Sequence, residues 1–600
     1  MVVAIAFLVG GLAMAKEKKT ASDPRIGNLS KVRREQLADK VSQIRSYLLE
    51  ASAHDKNAAR LLSFVAELEK EVRSKKYGLV FEEHKERVDI ELEENIPVLK
   101  ENRKRFIDNG GEMNFLIEGD NLAALKLLEK THRGKIDLIY IDPPYNTGNK
   151  DFIYNDSFVD KTDGYRHSKW LSFMEKRLKI LRSLMTNESY ICISIDDNEL
   201  FSLKMICDEI FGELNFISCI PRRTKSSGKT TKDISSNHDY VLIYAKNNEL
   251  VMIGGLEHVD EGFKNEDEFV GERGRYKLNQ TLDYDSLQYS KGLDYPIEIG
   301  GEVFYPGSDK DAWKRRISGD HKRADWEWRW SKDKFEFGLA NGFIVVKRKR
   351  DGTARIYTKT YLNATIGQNE DGSYKVVLTE RRKPLSTLDF LDKEFSNDKA
   401  KKDLKSVFGE CPFDYSKPIT LIEKLVGISL MTNGVVLDCF AGSGTTGHAV
   451  MKLNAEDGGK RKFILVTNNE NGICEKVTYE RLKRVIAKEK YAARLKYLKV
   501  DYVPITEEGY WERAEELLKY IRELVELENG IDFAHDKSVS IVLTDKEAEL
   551  LLKNEKRLSA CKTLYRGHNV MFPAKMNAVL SERGIAVKTI PDYYYPELED

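Results

Sequence analysis

An apolar run stopped by two prolines constrains this chain more than any other stretch. Residues Ile136, Leu138, Ile139, Tyr140 and Ile141 read as a buried strand, and Asp142-Pro143-Pro144-Tyr145 follows directly. Neither proline can donate a backbone hydrogen bond or extend a central ladder, so the backbone turns rigidly at the strand's carboxyl end. Open α/β sheets place their ligand crevices at such ends. The turn offers one carboxylate, two carbonyls and one aromatic face. That set accepts hydrogen bonds from an amino group while stacking on the ring that carries it, which suits a planar base with an exocyclic amine. A proline-rich loop that merely ends a strand is the plain alternative.

The 600 residues exceed what one core holds, so three or more units are expected. With 41% hydrophobic and 32% charged residues, the composition is that of a globular protein rather than a disordered or membrane-spanning one. Lys plus Arg balances Asp plus Glu at 97 each, so a polyanion has to be met by a local basic surface. The seven cysteines are scattered without a CxxC pair, which argues against zinc, against a disulfide framework and for a reducing cytoplasm. Residues 1–15 are nearly all apolar and end in Ala13-Met14-Ala15, yet lack a basic n-region and are too short to span a bilayer. The favoured explanation is a start at Met14, with a secreted leader as the minority reading.

Residues 16–109 are expected to be helical, with an amphipathic hairpin over Lys31–Lys75. Strand and helix signals then alternate: a strand at Asn114–Glu118, a helix Leu122–Lys130 capped by Asp120, a helix Trp170–Met185, and strands Ser189–Ile195 and Val241–Tyr244. Such alternation indicates a parallel sheet covered by helices. Over residues 250–413 turns become frequent and tryptophans dense, and a hairpin is expected around Asp351-Gly352. Over 414–500 the α/β pattern resumes with a helix Ile419–Leu430, strands Val435–Leu437 and Phe463–Thr467, and a helix Thr446–Leu453. Residues 501–600 read as a separate small α+β region.

A second constellation lies in Asp438-Cys439-Phe440-Ala441-Gly442-Ser443-Gly444-Thr445, with Gly447 beyond. Gly442, Gly444 and Gly447 match GxGxxG formally, but four residues separate the strand from the first glycine, unlike a dinucleotide fingerprint. An acidic strand end meets an ammonium better than a pyrophosphate, and Glu470 after the next strand can accept from ribose hydroxyls. A tight turn serving helix–sheet packing is the alternative.

The Asp-Pro-Pro-Tyr turn followed far downstream by this glycine loop resembles the S-adenosylmethionine-dependent amino-methyltransferases of DNA, in the motif order of their β subgroup. Stretches at 142–148, 170–178, 194–199 and 463–470 resemble the modification subunits of type III restriction–modification systems. The resemblance implies an α/β, doubly wound Rossmann-like sheet built from two discontinuous parts (110–249 and 414–500), with residues 250–413 inserted as a target-recognition domain. It implies that Asp142 and the Pro143 carbonyl accept the N6 hydrogens of a flipped adenine, with Pro144 as stiffener and Tyr145 stacking on the base. S-adenosylmethionine would be held by Asp438, Phe440, Ala441, Gly442, Ser443, Gly444, Thr445, Glu470, Lys417 and Pro418, with Lys417 near its carboxylate. Asp120 would contact the cofactor's adenine, though a helix cap explains it almost as well. A homodimer, a duplex DNA substrate and a separate restriction subunit are implied too. The acidic first position favours adenine over cytosine. A solitary N4-cytosine or N6-adenine methyltransferase, a non-catalytic recognition subunit and an NAD-dependent oxidoreductase are the competing readings.

Weaker signals carry less. Arg222, Arg223, Lys225 and Lys229 stand in a run without acids, read as a phosphate-gripping loop, with a solvated loop as the alternative. Lys347 and Arg348 in a basic hairpin are a DNA-backbone contact or a solvated tip. Gly228-Lys229-Thr230 lacks the first glycine of a phosphate loop, Asp196-Asp197 reads as a strand-end turn, and His167 and His238 lack metal-ligand spacing.

Overall fold

The strand that ends at Asp142 lies in the middle of a ten-stranded mixed sheet. The computed structural model describes residues 29–52, 56–73, 81–148, 153–154, 157–159, 161–225, 234–257, 262–350, 352–369, 371–379, 382–505 and 510–596. The leader 1–15 and Gly228-Lys229-Thr230 lie outside them. The chain divides into Met1–Phe81 and Glu82–Asp600. In the first unit, helices α1 (Leu29–Ser52) and α2 (Lys56–Arg73) pack together as the expected hairpin, with Arg45 Nη1 3.3 Å from Glu69 Oε2.

In the second unit the sheet comprises β1 (Asn95–Glu101), β2 (Ile107–Asp108), β3 (Glu112–Glu118), β4 (Ile136–Ile141), β5 (Met185–Ile195), β6 (Phe216–Arg223), β7 (His238–Ala245), β8 (Val435–Asp438), β9 (Lys462–Thr467) and β10 (Ala493–Pro504). Their spatial order is β1-β10-β3-β9-β8-β4-β5-β7-β6, with β2 also on β10. The six strands from β10 to β5 are parallel. Both edges are antiparallel, β1 and β2 against β10 and the β7–β6 pair against β5, so the expected parallel sheet forms the centre and antiparallel strands extend it on either side. Residues 16–109 are likewise not all helical, because Asn95–Glu101 and Ile107–Asp108 join the edge. Pro97 is tolerated there, where a strand lacks a second neighbour.

Alternate residues of the strands point to opposite faces, and both faces are apolar. Leu138, Tyr140, Tyr190 and Cys192 face a core shared with helices α6 (Ile419–Gly427), α7 (Thr445–Asp457) and α8 (Glu480–Glu489). Ile139, Ile141, Ile191 and Ile193 are equally buried and point the other way. Helices α3 (Asn121–His132), α4 (Arg166–Leu184) and α5 (Leu200–Phe211) pack in sequence, α3 on α4 and α4 on α5. At roughly 1.5–3 kcal/mol per fully buried large apolar side chain, these two layers supply the main stabilisation of the sheet.

The chain leaves this sheet after β7 and returns to it, through α6, at β8. Between them small antiparallel sheets form, none of which joins the main one. Tyr276–Thr281, Ala354–Tyr361 and Ile344–Arg348 make one of them, and Arg348 pairs with Ala354 in the expected hairpin. Leu282, Ile297, Trp328 and Ile356 are in its own core. At the other end, Val539–Val542, Thr563–Gly567 and Ala586–Ile590 form a parallel three-stranded sheet with helices between. The α+β expectation is therefore corrected to parallel α/β. Glu528 ties this region inward by accepting from Tyr565, Tyr594 and Lys135.

Candidate active site at the switch point of the sheet

Strands β8 and β4 are neighbours in the sheet although nearly 300 residues apart in sequence, with Leu437 opposite Ile139. From β8 the chain moves to β9 on one side, and from β4 to β5 on the other, so the carboxyl ends of β8 and β4 flank the topological switch point. That register brings the Asp438 loop and the Asp142 turn together.

The turn after β4 is held from several sides. Trp170, fully buried on α4, donates from Nε1 to the Pro144 carbonyl at 2.7 Å. Asn146, fully buried, takes a left-handed backbone at φ 56°, which few side chains other than Asn tolerate. Its Nδ2 donates to Glu199 Oε1 at 2.6 Å and to the Arg166 carbonyl at 3.2 Å. His167 Nδ1 lies 2.6 Å from the same Glu199 oxygen, the ordinary polar role expected of it. Tyr145 donates from its hydroxyl to Asp239 Oδ2 at 3.3 Å, and burial, then the charges of Asp142 and Asp239, raises its pKa so that it stays a donor. Asp142 Oδ2 accepts from Lys417 Nζ at 2.5 Å, while its buried Oδ1 has no partner among the described residues. A buried carboxylate oxygen left unpaired is costly unless a ligand donor completes it.

The loop after β8 is equally determined. Gly442 and Gly444 have φ of 47° and 73°, which favour glycine. Gly447 is needed for a different reason, since a Cβ there would lie 2.9 Å from Leu482 and 3.0 Å from Leu465. The Ala441 amide donates to the Val466 carbonyl at 3.0 Å, which ties the loop to β9. Asp438 accepts from the Phe440 amide at 2.9 Å and from Thr446 Oγ1 at 2.5 Å. Burial nevertheless pushes its carboxyl up to about 7, against the pull of those two donors, with the nearby charge of Asp142 adding to the rise. A carboxylate in this state is stabilised by an arriving cation. Phe440 is half-buried, its ring 6.0 Å from Phe173.

Around the loop stand the other expected residues. Lys417 and Pro418 are buried at the start of α6, and Ser416 Oγ meets Ser443 Oγ at 2.9 Å and Thr445 Oγ1 at 3.2 Å. Asp120 caps α3 by accepting from the amides of Leu122 and Ala123, so the capping role is real, and its side chain stays 40% exposed. Asn121 next to it donates to the Cys439 carbonyl at 3.3 Å, which fixes the Asp120 turn against the loop. Glu470 is exposed at the turn after β9. Asp196 closes its own turn by accepting from Asn198, as expected of a strand-end turn.

The basic run is only partly where it was expected. Arg222 does not face solvent: it is the inward residue of β6, 1% exposed, bonded to Asp239 through Nε at 2.7 Å and again through Nη2. It also donates to the Phe395 carbonyl at 2.7 Å, and it is corrected from a phosphate contact to the support of Asp239. Arg223 is half-buried, 3.4 Å from the Leu391 carbonyl, Lys225 is exposed, and Lys229 lies outside the described residues. Lys347 and Arg348 are exposed, and Arg348 pairs with Glu302.

Two arginines escaped the sequence reading. Arg177, fully buried on α4, forks onto Glu86 at 2.8 and 3.0 Å and donates from Nε to Asn121 Oδ1 at 2.6 Å. Arg481, fully buried on α8, donates from Nη1 to the Ser443 carbonyl, Ser443 Oγ and Thr445 Oγ1 at 3.2, 3.1 and 2.8 Å. Each stands within an apolar helical stripe, Arg481 beside Leu482, Val485 and Ile486, and a charge inside such a stripe is the signal that marks them. Among the described residues no cluster of His, Cys, Asp and Glu is arranged to hold a metal, and no helix is long and apolar enough to cross a membrane.

Comparison with known proteins agrees with this geometry. The chain is 32% identical over 422 residues to the StyLTI Mod subunit, a type III restriction–modification enzyme of Salmonella typhimurium, covering 64% of this chain and 58% of that one. It is 31% identical over 405 residues to the EcoPI Mod subunit of Escherichia phage P1, covering 60% and 58%. The match to the type II methyltransferase M.KpnI of Klebsiella pneumoniae is 31% over 374 residues and covers 58% and 79%. The chain thus spans 58% of the length of the two Mod subunits. A family model described as DNA methylase matches residues 136–480, which run from the start of β4 through both the turn and the loop, and the chain belongs to that family.

Proposed function

We propose that this chain methylates N6 of an adenine extruded from duplex DNA, using S-adenosylmethionine, as the modification and recognition subunit of a type III restriction–modification system. The observation that carries the reading is the juxtaposition of Asp142, whose buried Oδ1 has no partner among the described residues, and Asp438 on adjacent strand ends. When bound, S-adenosylmethionine supplies an electrophilic methyl group. Asp438, Phe440 to Thr445, Glu470, Asp120, Lys417 and Pro418 are the residues to hold it, and the buried Asp438 suits an ammonium. Asp142 Oδ1 and the Pro143 carbonyl accept hydrogen bonds from the adenine amine, which draws its delocalised lone pair onto the nitrogen and offsets the developing positive charge. Tyr145 stacks on the base. Positioning does most of the work, and no covalent enzyme intermediate is needed.

Residues 250–413 are assigned to target recognition, with Lys347, Arg348 and Lys225 as exposed phosphate contacts. A homodimer, a separate restriction subunit and a cytoplasmic site complete the proposal, and all seven cysteines being free suits a reducing compartment. The long match to a type II methyltransferase favours a second reading, a methyltransferase without a restriction partner. Labelled methyl transfer from S-adenosylmethionine to DNA, combined with long-read mapping of modified bases in a host expressing the chain, tests both. The expected result is N6-methyladenine at one short sequence. Label on cytosine would remove the adenine assignment, and no label would remove the activity.

Asp438 makes a pH prediction. Its pKa is raised in the folded protein, so its contribution to stability is present below the ordinary carboxylate range and is lost as pH rises through about 7. A ligand ammonium requires the ionised form, so the sign for binding is opposite. Affinity for S-adenosylhomocysteine is expected to rise with pH, by up to about tenfold per unit below about 7, then level off. Asp438→Asn flattens that profile in calorimetric titrations. A profile that keeps its slope in the variant assigns the proton to another group.

A further inference from the structure

An amine of the chain itself already stands on the carboxylate and over the aromatic face offered to the target base, on the Asp142 oxygen that Oδ1 leaves to it. Lys417 Nζ lies 2.5 Å from Asp142 Oδ2 and 5.0 Å from the centre of the Tyr145 ring, so it uses both the carboxylate and the aromatic face. Its side chain is 9% exposed. An ammonium at that point opposes the positive charge that methyl transfer develops on the target nitrogen, so this arrangement is not the transferring one. The backbone of Lys417 does not have to move for the amine to leave. Its carbonyl is fixed by Thr445 Oγ1 and Ser416 Oγ, both at 3.3 Å, and only the four-carbon stem has to swing.

A candidate anion site adjoins the Lys417 backbone, whose carbonyl accepts from Thr445 Oγ1. The loop Ser443-Gly444-Thr445 opens the thirteen-residue helix α7, whose first amides favour negative charge. Beneath it lies Arg481, 0% exposed, a buried cation whose Nε and Nη2 have no hydrogen-bond partner among the described residues. Burial without a carboxylate in contact holds its pKa down to about 10, the mark of a charge that lacks a counter-ion. The carboxylate of an amino-acid-bearing cofactor is that counter-ion.

We propose that Lys417 is a gate: in the cofactor-free protein its ammonium stands on Asp142 and over Tyr145, and it leaves them for the cofactor's carboxylate, so that cofactor binding precedes capture of the base. The proposal rests on the cofactor reading given above and adds an order of binding to it.

Titration with two ligands tests it without DNA: S-adenosylhomocysteine, which has no sulfonium charge for Asp142 to attract, and S-adenosyl-3-thiopropylamine, which keeps the amine and lacks the carboxylate. Asp142→Asn releases Lys417 and is expected to tighten S-adenosylhomocysteine binding about fivefold or more. Lys417→Met is expected to weaken it by a similar factor. The double variant, which removes both charges of the buried pair and so keeps the fold, is expected to bind like Lys417→Met alone. The carboxylate-free ligand is expected to be indifferent to all three. Weaker or unchanged S-adenosylhomocysteine binding in Asp142→Asn overturns the gate while leaving the cofactor reading intact. A wild-type chain that binds neither ligand overturns both.

Discussion

Asp142→Ala is expected to lower methyl transfer by at least about 10²–10³-fold, the loss typical of removing one preorganised group that meets charge developing in a transition state. In free energy that is roughly 3–4 kcal/mol. The size follows from where the carboxylate sits. It ends a strand buried on both faces, its neighbour Pro144 is pinned by Trp170, and Asn146 is locked by Glu199, so the turn cannot adjust to replace the lost acceptor. Tyr145→Ala removes the proposed stacking wall instead and should cost about 1–3 kcal/mol, chiefly in base capture. Single-turnover rates with tritiated S-adenosylmethionine measure both, and thermal melting checks that Lys417, left without its partner, has not unfolded the site. If Asp142→Ala labels DNA at the wild-type rate, the chemistry is not at this turn.

Much of this centre was legible because its determinants are local. A strand ended by two prolines and a glycine loop between strand and helix are short-range signals, and both stand where they were expected. The pairing of Asp142 with Lys417, 275 residues apart, was not legible, since it depends on β8 entering the sheet beside β4. Charges inside apolar stripes were also missed. Arg177 and Arg481 interrupt helical periodicity and read as breaks in it, whereas each bonds to remote segments, Glu86 and Asn121 for one and the Ser443–Thr445 loop for the other. Edge strand β1 was missed for a third reason: only Val98 and Leu99 of its first residues, with the proline before them, are fully buried, too short a run to show period two.

Arg222 shows how composition misleads when a basic run begins inside a strand. Residues 222–232 contain no acid, and a loop gripping phosphate was the expectation. The alternation of β6 decides otherwise, because Ile220 and Arg222 point inward while Pro221 and Arg223 remain half-buried at the surface. Asp239, its partner, has a side chain only 4% exposed and also receives the Tyr145 hydroxyl. Arg222→Ala therefore strands a buried carboxylate beside Tyr145, and about 3–5 kcal/mol of stability should be lost. Replacing both partners, as in Arg222→Met with Asp239→Leu, should recover much of that loss but not the hold on Tyr145. A phosphate contact predicts something else: stability unchanged, and a salt slope of DNA binding smaller by about one unit. That signature is expected of Lys347→Ala, whose side chain is exposed. Denaturant unfolding and salt-dependent DNA binding, run on the three variants together, separate the roles. An Arg222→Ala protein that unfolds at the wild-type midpoint and loses one unit of salt slope would restore the phosphate-gripping assignment and leave Tyr145 without its anchor.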